Sequence, residues 1–333
     1  MTVVTAPATE SRSRRIQDRV WGFAGKYGTI VVLVGMVIGF SFTAPDAFPR
    51  QQNLINVLSQ MSLTAIIAGG LTFVLVVDEF DLSIGYQASL AGVMCVGLMT
   101  NQYVPEPIAI AIVLLVGSLV GLFNGIVVTK LGVNAMIATL GTGTIVVGIN
   151  YFYAGGIPIT LAHASGFVNL SLGHDFLGVP NPIVFMVVVL AFLWVVLNQT
   201  ALGQNMQAVG GNPEAAALSG IRVDRTKIAA FMFSGFFAAL TGVLLASRIG
   251  SGQVTAGDGY MLDAFAAVFL GSAALMDGVF HIIGTFIGVL TVGVGFNGLA
   301  IYGAPTFFQF LFKGTLLIVA VALSTVGRRR SRQ

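Results

Sequence analysis

Long apolar runs follow one another along almost the whole chain, and this pattern restricts its fold more than any other feature. The runs from Leu54 to Val77 and from Ile84 to Met99 contain no charged side chain. Charged residues make up only 9% of the 333 residues, against roughly 25% in ordinary soluble domains. Because a helix needs about 20 apolar residues to cross a bilayer, we predict an all-α integral membrane protein.

The apolar runs predict about ten transmembrane helices with both termini in the cytoplasm. The approximate spans are 27–45, 54–77, 83–100, 107–129, 133–154, 180–199, 228–248, 261–276, 280–301 and 305–326. The eighth is short, so a broken or re-entrant segment is the alternative to a complete span. All of the 16 Lys and Arg except Arg50, Arg248 and Lys313 then fall on the cytoplasmic side, as the positive-inside rule expects.

The basic N-terminal segment could belong to a signal peptide or to a cytoplasmic tail. Arginines precede its apolar run, as in a signal peptide, but that run is long for one and many further spans follow. We therefore predict a cytoplasmic, largely disordered segment at 1–26 and a membrane domain at 27–326. A cytoplasmic loop at 200–227 and a basic cytoplasmic tail at 327–333 complete the organisation.

Three of the 13 acidic residues, Asp78, Glu79 and Asp81, lie together at the junction of the second and third spans. Asp81 and Ser83 can cap the third span, with Asp81 near the positive end of its dipole. Contact in gating or coupling is the alternative role. Since intramembrane carboxylates often bind protons or cations, the cluster also leaves open an ion-coupled secondary transporter.

The cytoplasmic loop contains a short segment with the signals of a capped helix. Asn212 is a good N-cap, Pro213 suits the first helical position, and Glu214 suits the positive end of the helix dipole. Gly220 can supply the left-handed turn that ends a helix. The residues between them are Ala215, Ala216, Ala217, Leu218 and Ser219. Such a helix could fill a groove on a cytoplasmic partner, although a plain connector would carry the same signals.

A glycine-rich segment from Gly250 to Gly259 follows the seventh span on the predicted extracytoplasmic side. Its polar residues Gln253 and Asp258, together with Asp263 just beyond, are candidates for contact with an external protein. A simple connecting loop is the alternative. Catalytic and metal-binding roles are disfavoured, because the single Cys95 and three scattered histidines have no metal-ligand spacing and no span pairs Ser with His or Lys.

Four motifs in the same order make the chain similar to the permease subunits of ribose-type ABC sugar importers. They are 78–85, which includes Asp81, Ser83 and Gly85, then 131–142, 210–221 and 250–264. The resemblance extends from about residue 50 to 326. Within it, Asp78 and Glu79 replace a usual Gly-Gly pair, 279–281 replaces an Arg-Gly-Ser type sequence, and Phe296 replaces an Asn.

This resemblance implies a non-enzymatic transport subunit of the bacterial cytoplasmic membrane that acts as a homodimer. A separate cytoplasmic ATPase would bind ATP and magnesium, and the chain itself has no phosphate-binding G-x-x-x-x-G-K-[ST] loop. A periplasmic or lipid-anchored binding protein would deliver a monosaccharide or similar small polyol. The helix after Asn212 would couple the ATPase to the membrane domain. No cofactor and no nucleic acid is implied.

A small polar cargo requires hydrogen-bonding and aromatic side chains along its path. The candidates for path-facing positions are Gln87, Asn124, Asn150, Phe296 and Asn297. Each has an alternative role, because a buried amide can simply bond a neighbouring helix.

Overall fold

The computed structural model describes residues 12–161, 166–274 and 278–331 and consists almost entirely of helices. The α-helices are α1 (Arg12–Thr43), α2 (Gln51–Val76), α3 (Ile84–Asn101), α4 (Glu106–Lys130), α5 (Ala135–Ala154), α6 (Asn169–Leu172), α7 (Asn181–Gln199), α8 (Ala201–Gly211), α9 (Pro213–Leu218), α10 (Val223–Ile249), α11 (Asp258–Ser272), α12 (Ile282–Ile301) and α13 (Thr306–Ser331). Two short strands, β1 (Ile159–Thr160) and β2 (Ser251–Gly252), and a 3-10 turn at Gly166–Val168 complete the described secondary structure.

The predicted N-terminal and C-terminal tails are only partly within the described residues. Helix α1 begins at Arg12, so the described part of the segment expected to be disordered is helical. Residues 1–11 lie outside the described residues, as do 332 and 333 of the predicted basic tail. The chain up to residue 331 continues α13 without a break.

Six of the described helices are long and apolar enough to cross a membrane, namely α2, α4, α5, α7, α10 and α12. The chain is therefore a multi-pass helical membrane protein. The apolar parts of α1 and α13 are shorter, covering Tyr27–Thr43 and Thr306–Val319. Helix α11 has 15 residues, fewer than the roughly 20 that a complete span needs. The count of ten spans and the cytoplasmic termini stay predictions.

Glycines on one face of α4 pack directly against α10. Gly117 lies against the carbonyl of Gly235, Gly121 against that of Phe231, and Gly125 against the Cα of Ile228. A side chain at any of these glycines would overlap the backbone of α10. The four-residue glycine spacing in α4 therefore marks a helix–helix contact.

Contacts between loops distinguish the two ends of the helix bundle. At one end, β1 pairs antiparallel with β2, so the segment after α5 meets the segment after α10. At the other end, Lys130 at the end of α4 forms an ion pair with Asp224 at the start of α10. Helices α8 and α9 immediately precede α10, so they lie at this second end, which the predicted topology assigns to the cytoplasm.

Candidate transport pathway and coupling sites

The acidic junction between α2 and α3 is a compact turn in which each carboxylate has different surroundings. Asp78 adopts the left-handed conformation with φ of 59°, which glycine adopts without steric cost. Glu79 forms an ion pair of 2.5 Å with Lys227 on α10, and both side chains are less than 20% exposed. Asp81 is fully buried. The three residues therefore have separate structural roles.

Asp81 is the centre of a buried hydrogen-bond network. Its carboxylate accepts hydrogen bonds from the backbone N–H of Ser83 at 3.0 Å, the Ser83 hydroxyl at 2.5 Å and the Ser234 hydroxyl at 2.8 Å. Burial raises the pKa of the Asp81 carboxyl, and these three hydrogen bonds oppose the rise. The network fixes the start of α3 to the middle of α10.

Ser83 occupies the N-cap position of α3 but makes no capping hydrogen bond, so the expected cap by its side chain is wrong. The physical reason is that its hydroxyl is fully engaged elsewhere. It donates to Asp81 and accepts from the side-chain amides of Gln87 at 2.7 Å and Asn124 at 2.9 Å. Asp81 instead binds the N–H of Ser83.

The amides among the predicted path residues hydrogen-bond to other groups of the protein. Gln87 and Asn124 both bind Ser83, while Asn150 donates to the carbonyl of Val254 at 2.8 Å. Asn297 exchanges two side-chain hydrogen bonds with Asn53 on α2, at 2.9 and 3.0 Å. For Asn124 and Asn297 the structure thus shows the alternative role of bonding a neighbouring helix. Gln87 instead bonds the N-cap of its own helix α3, and Asn150 bonds the loop before α11. Their contact with a cargo stays a prediction.

Helix α9 has the predicted caps and presents its small residues to solvent. The Asn212 side chain accepts the N–H of Ala215 at 3.0 Å, and Gly220 has the expected left-handed conformation with φ of 86°. Ala216 is buried and packs in the same cluster as Val77 at the end of α2. Pro213, Glu214, Ala215, Ala217, Leu218, Ser219 and Gly220 are exposed.

The glycine-rich segment after α10 folds back along α3. Gly257 donates its N–H to the Ser89 hydroxyl at 2.9 Å, and that hydroxyl donates to Asp258 at 2.7 Å. A side chain at Gly85 would overlap the carbonyls of Gly257 and Asp258. Because Ser89 lies in the second turn of α3, α11 begins beside the interior of α3. Gln253 and Asp258 are accordingly half-buried, and their contact with an external protein stays a prediction.

A cavity of about 270 Å³ lies between α2, α10, α11 and α12, and Phe296 is the predicted path residue that lines it. Arg248, Tyr260 and Asp263 also line it. Asp263 lies in the second turn of α11, and its carboxylate is 2.6 Å from the ammonium of Lys313 on α13. The structure thus places Asp263 at the wall of the cavity. It lies within α11, beyond the glycine-rich segment with which the sequence groups it.

Sequence reasoning missed Arg248, Tyr260 and Lys313 as residues of this region. A signal was nevertheless present, because Arg248 and Lys313 are two of the three basic residues that do not fit the cytoplasmic side. Charged residues that lie in apolar helices and do not fit the positive-inside rule commonly mark a transport pathway.

Comparison with known proteins identifies the family of the chain. The family described as "Branched-chain amino acid transport system / permease component" matches residues 53–321. The chain belongs to this permease family. Among solved structures, none matches the chain at a significant level.

Curated relatives of this permease are sugar importers. The ribose import permease protein of Haemophilus influenzae is 39% identical over 88% of this chain and 90% of its own length. The ribose import permease of Escherichia coli strain K12 is 36% identical over 92% of this chain and 95% of its own. The galactose/methyl galactoside import permease of the same strain is 37% identical over the same shares. The resemblance to ribose-type importer permeases is confirmed.

Proposed function

We propose that this permease is the membrane-spanning subunit of an ATP-driven importer, and that two copies form the path for a monosaccharide or similar small polyol. A separate cytoplasmic ATPase binds ATP and magnesium and drives the cycle. A periplasmic or lipid-anchored binding protein delivers the sugar, and the assembly resides in the bacterial cytoplasmic membrane. The names of the relatives favour ribose or galactose as the first sugars to test.

The observation that carries this proposal is the exposed, doubly capped helix α9. Leu218 is 91% exposed, and a large apolar side chain so open to water at the end of a fixed helix suits a partner's groove. Ala216 anchors the helix in the hydrophobic core of the membrane domain, and α9 contacts α8 and α10, so a force applied to α9 reaches these helices. An ion-coupled carrier has no need for such a helix.

The carboxylates that suggested an ion-coupled carrier are already occupied within the described residues. Glu79 pairs with Lys227, and Asp81 accepts three hydrogen bonds. Binding a proton or a cation at either group would require breaking these contacts. This arrangement favours a structural role for the junction over an ion site.

The test uses the permease reconstituted in vesicles with its ATPase and binding protein. We expect uptake of ribose or galactose to require ATP and to persist without an ion gradient. Ala217→Trp should reduce ATPase binding and uptake at least about tenfold, because a bulky side chain blocks a groove fitted to alanine. Ile157→Trp, an exposed position at the opposite end, is the control. Uptake that follows an ion gradient without ATP would refute the proposal.

A further inference from the structure

The cavity beside Phe296 opens within the half of the bundle that the predicted topology assigns to the extracytoplasmic side. Its α2 residues Val57, Gln60 and Met61 come from the half of that helix nearer Gln51, Thr64 lies at the midpoint, and Arg248 lies in the last turn of α10. Of its α12 residues, Val289 lies just before the midpoint and the others, up to Phe296, belong to the second half of that helix. The volume of about 270 Å³ is near the lower end of small-ligand sites, roughly 300 Å³.

The cavity residues from α12 are apolar, those from α10 and α11 are polar, and α2 supplies both kinds. The apolar residues are Val57, Met61, Val289, Val292 and Phe296. Gln60 and Thr64 are polar residues of α2, and Arg248, Tyr260 and Asp263 form the polar side on α10 and α11. A sugar ring has the same two-sided character, because its C–H groups form apolar faces while its hydroxyls project from the edge.

The charged groups of the polar side supply both donors and acceptors. The Asp263 carboxylate pairs with Lys313, and the two side chains are only 16% and 14% exposed. The Arg248 guanidinium donates one hydrogen bond of 2.7 Å to the Ser59 carbonyl, which leaves further N–H groups for a ligand. A cationic ligand would be repelled by Arg248 and Lys313, and the acceptor oxygens of Asp263 suit hydroxyl donors rather than the carboxylate of an anion. Neutral hydroxyls, which both donate and accept, suit all three groups.

The Phe296 ring is held in place by two neighbours. Phe312 on α13 packs against it edge to face, with ring centroids 5.8 Å apart. The Lys313 ammonium lies 5.6 Å from the Phe296 centroid, within the range of a cation–π interaction. An aromatic wall fixed in this way offers a preformed flat surface to the apolar face of a ring.

We propose that this cavity is a binding site inside the permease for one neutral sugar ring, with Phe296 against its C–H face and Arg248 and Asp263 bonding its hydroxyls. The choice of a sugar as ligand rests on the proposed function. The site is separate from that of the external binding protein, so the permease itself contributes to selectivity. Phe296 is the specificity-determining residue of the site, because its side chain makes the surface against the sugar ring apolar rather than polar.

Direct binding is the first test, with the full-length permease in lipid nanodiscs and no binding protein. Saturation-transfer NMR titrations use D-ribose, D-galactose and the anion D-gluconate as probes. We expect at least one neutral sugar to bind and gluconate to bind more weakly. Binding of gluconate in preference to both sugars, or of no probe at all, would overturn the proposal.

Variants of two phenylalanines on α12 test whether the ligand contacts the ring of Phe296. Phe296→Ala should weaken sugar binding about three- to tenfold, as expected for the loss of one aromatic contact, whereas Phe296→Tyr should preserve it. Phe286→Ala is the matched control, since Phe286 is also half-buried on α12 but lines a different, apolar groove. Equal binding by the Phe296→Ala and wild-type proteins would exclude the site.

The polar side is tested without leaving a buried charge unpaired. Asp263→Leu combined with Lys313→Met removes the acceptor and its partner together, and Arg248→Gln removes the guanidinium. We expect each to weaken binding at least about tenfold, the usual effect of losing a hydrogen bond to a charged group. Size-exclusion profiles in detergent identify any variant that fails to fold. Folded variants that bind like the wild type would contradict the assignment.

Transport by the whole importer separates this proposal from the proposed function. If ATP-dependent sugar uptake occurs and Phe296→Ala raises its KM or alters the preference between ribose and galactose, both stand. If uptake occurs but every cavity variant transports with wild-type KM and preference, the cavity site is wrong and the function stands. If the wild-type importer takes up no sugar with ATP, the proposed function fails, and the nanodisc titration alone then decides the cavity site.

Discussion

At the scale of single residues, the carboxylates of the junction differ in how much of the structure depends on each. Three donors lose their acceptor if Asp81 is removed, and the site is fully buried. Glu79 has one partly buried ion pair. Asp78 has a backbone conformation that glycine adopts readily. Their loss should therefore have graded effects.

We expect Asp81→Ala to lower the free energy of unfolding by at least about 2 kcal/mol, because buried donors without an acceptor are costly. Glu79→Ala should cost about 1 kcal/mol, and Asp78→Gly less than about 0.5 kcal/mol. Thermal unfolding of the purified variants in detergent, followed by size exclusion, gives the order. Equal losses for all three would contradict this division of roles.

The sequence contained part of this arrangement. A carboxylate placed between two apolar runs must face protein, water or the membrane interface, and the structure shows that Asp81 faces protein. The pairing of Glu79 with Lys227 could not be predicted, since the two residues are 148 positions apart and only helix packing brings them together. The hydroxyl of Ser83 was assigned to a cap because its partners Gln87 and Asn124 were unknown.

At the scale of elements, the four-residue glycine spacing in α4 favours close helix packing but carries no information on the partner helix. The partner is α10, whose backbone lies against Gly117, Gly121 and Gly125. Pairing of helices depends on contacts distant in sequence, and a periodic pattern on one helix cannot identify them. The caps of α9 were predictable in full, because Asn212 and Gly220 act on neighbouring residues.

Replacing Gly121 with Leu should separate α4 from α10. The added side chain would enter the space of the Phe231 carbonyl, and overpacking of this kind costs roughly 1–3 kcal/mol. Gly141→Leu is the control, because Gly141 on α5 has open space where a side chain would begin. The yield of monodisperse protein after extraction measures the effect. Equal yields from the two variants would show that α4 and α10 tolerate a wider separation.

At the scale of the whole molecule, composition and apolar runs were sufficient to predict a helical membrane protein. They could not predict that α11 begins beside the interior of α3. That placement depends on close backbone packing of Gly85 and Gly257, and on the hydrogen bonds of Ser89. The cavity escaped prediction for the same reason, because its residues come from four helices and meet only in the folded molecule.

A set of contacts leads from α8, which packs against α9, to this cavity. Gly210 at the end of α8 lies against the carbonyl of Val76, at the start of the acidic junction. Glu79 and Asp81 then bind α10 through Lys227 and Ser234. Further along α3, Ser89 binds Asp258 at the start of α11, the helix that carries Asp263. If the proposed ATPase displaces α9, these contacts give the displacement a route to the cavity through the junction.

We expect Glu79→Gln to reduce the sugar transported per ATP hydrolysed by about two- to tenfold, the range of a coupling energy of roughly 0.5–1.4 kcal/mol. ATPase binding should remain, because Glu79 lies outside α9. Lys130→Gln is the matched control, since its ion pair with Asp224 at the same end is about half exposed, at 58% and 46%, and such surface pairs contribute little. Simultaneous measurement of uptake and phosphate release in vesicles gives the ratio. Equal ratios for both variants would mean that the movement of α9 is not transmitted through the Glu79–Lys227 pair.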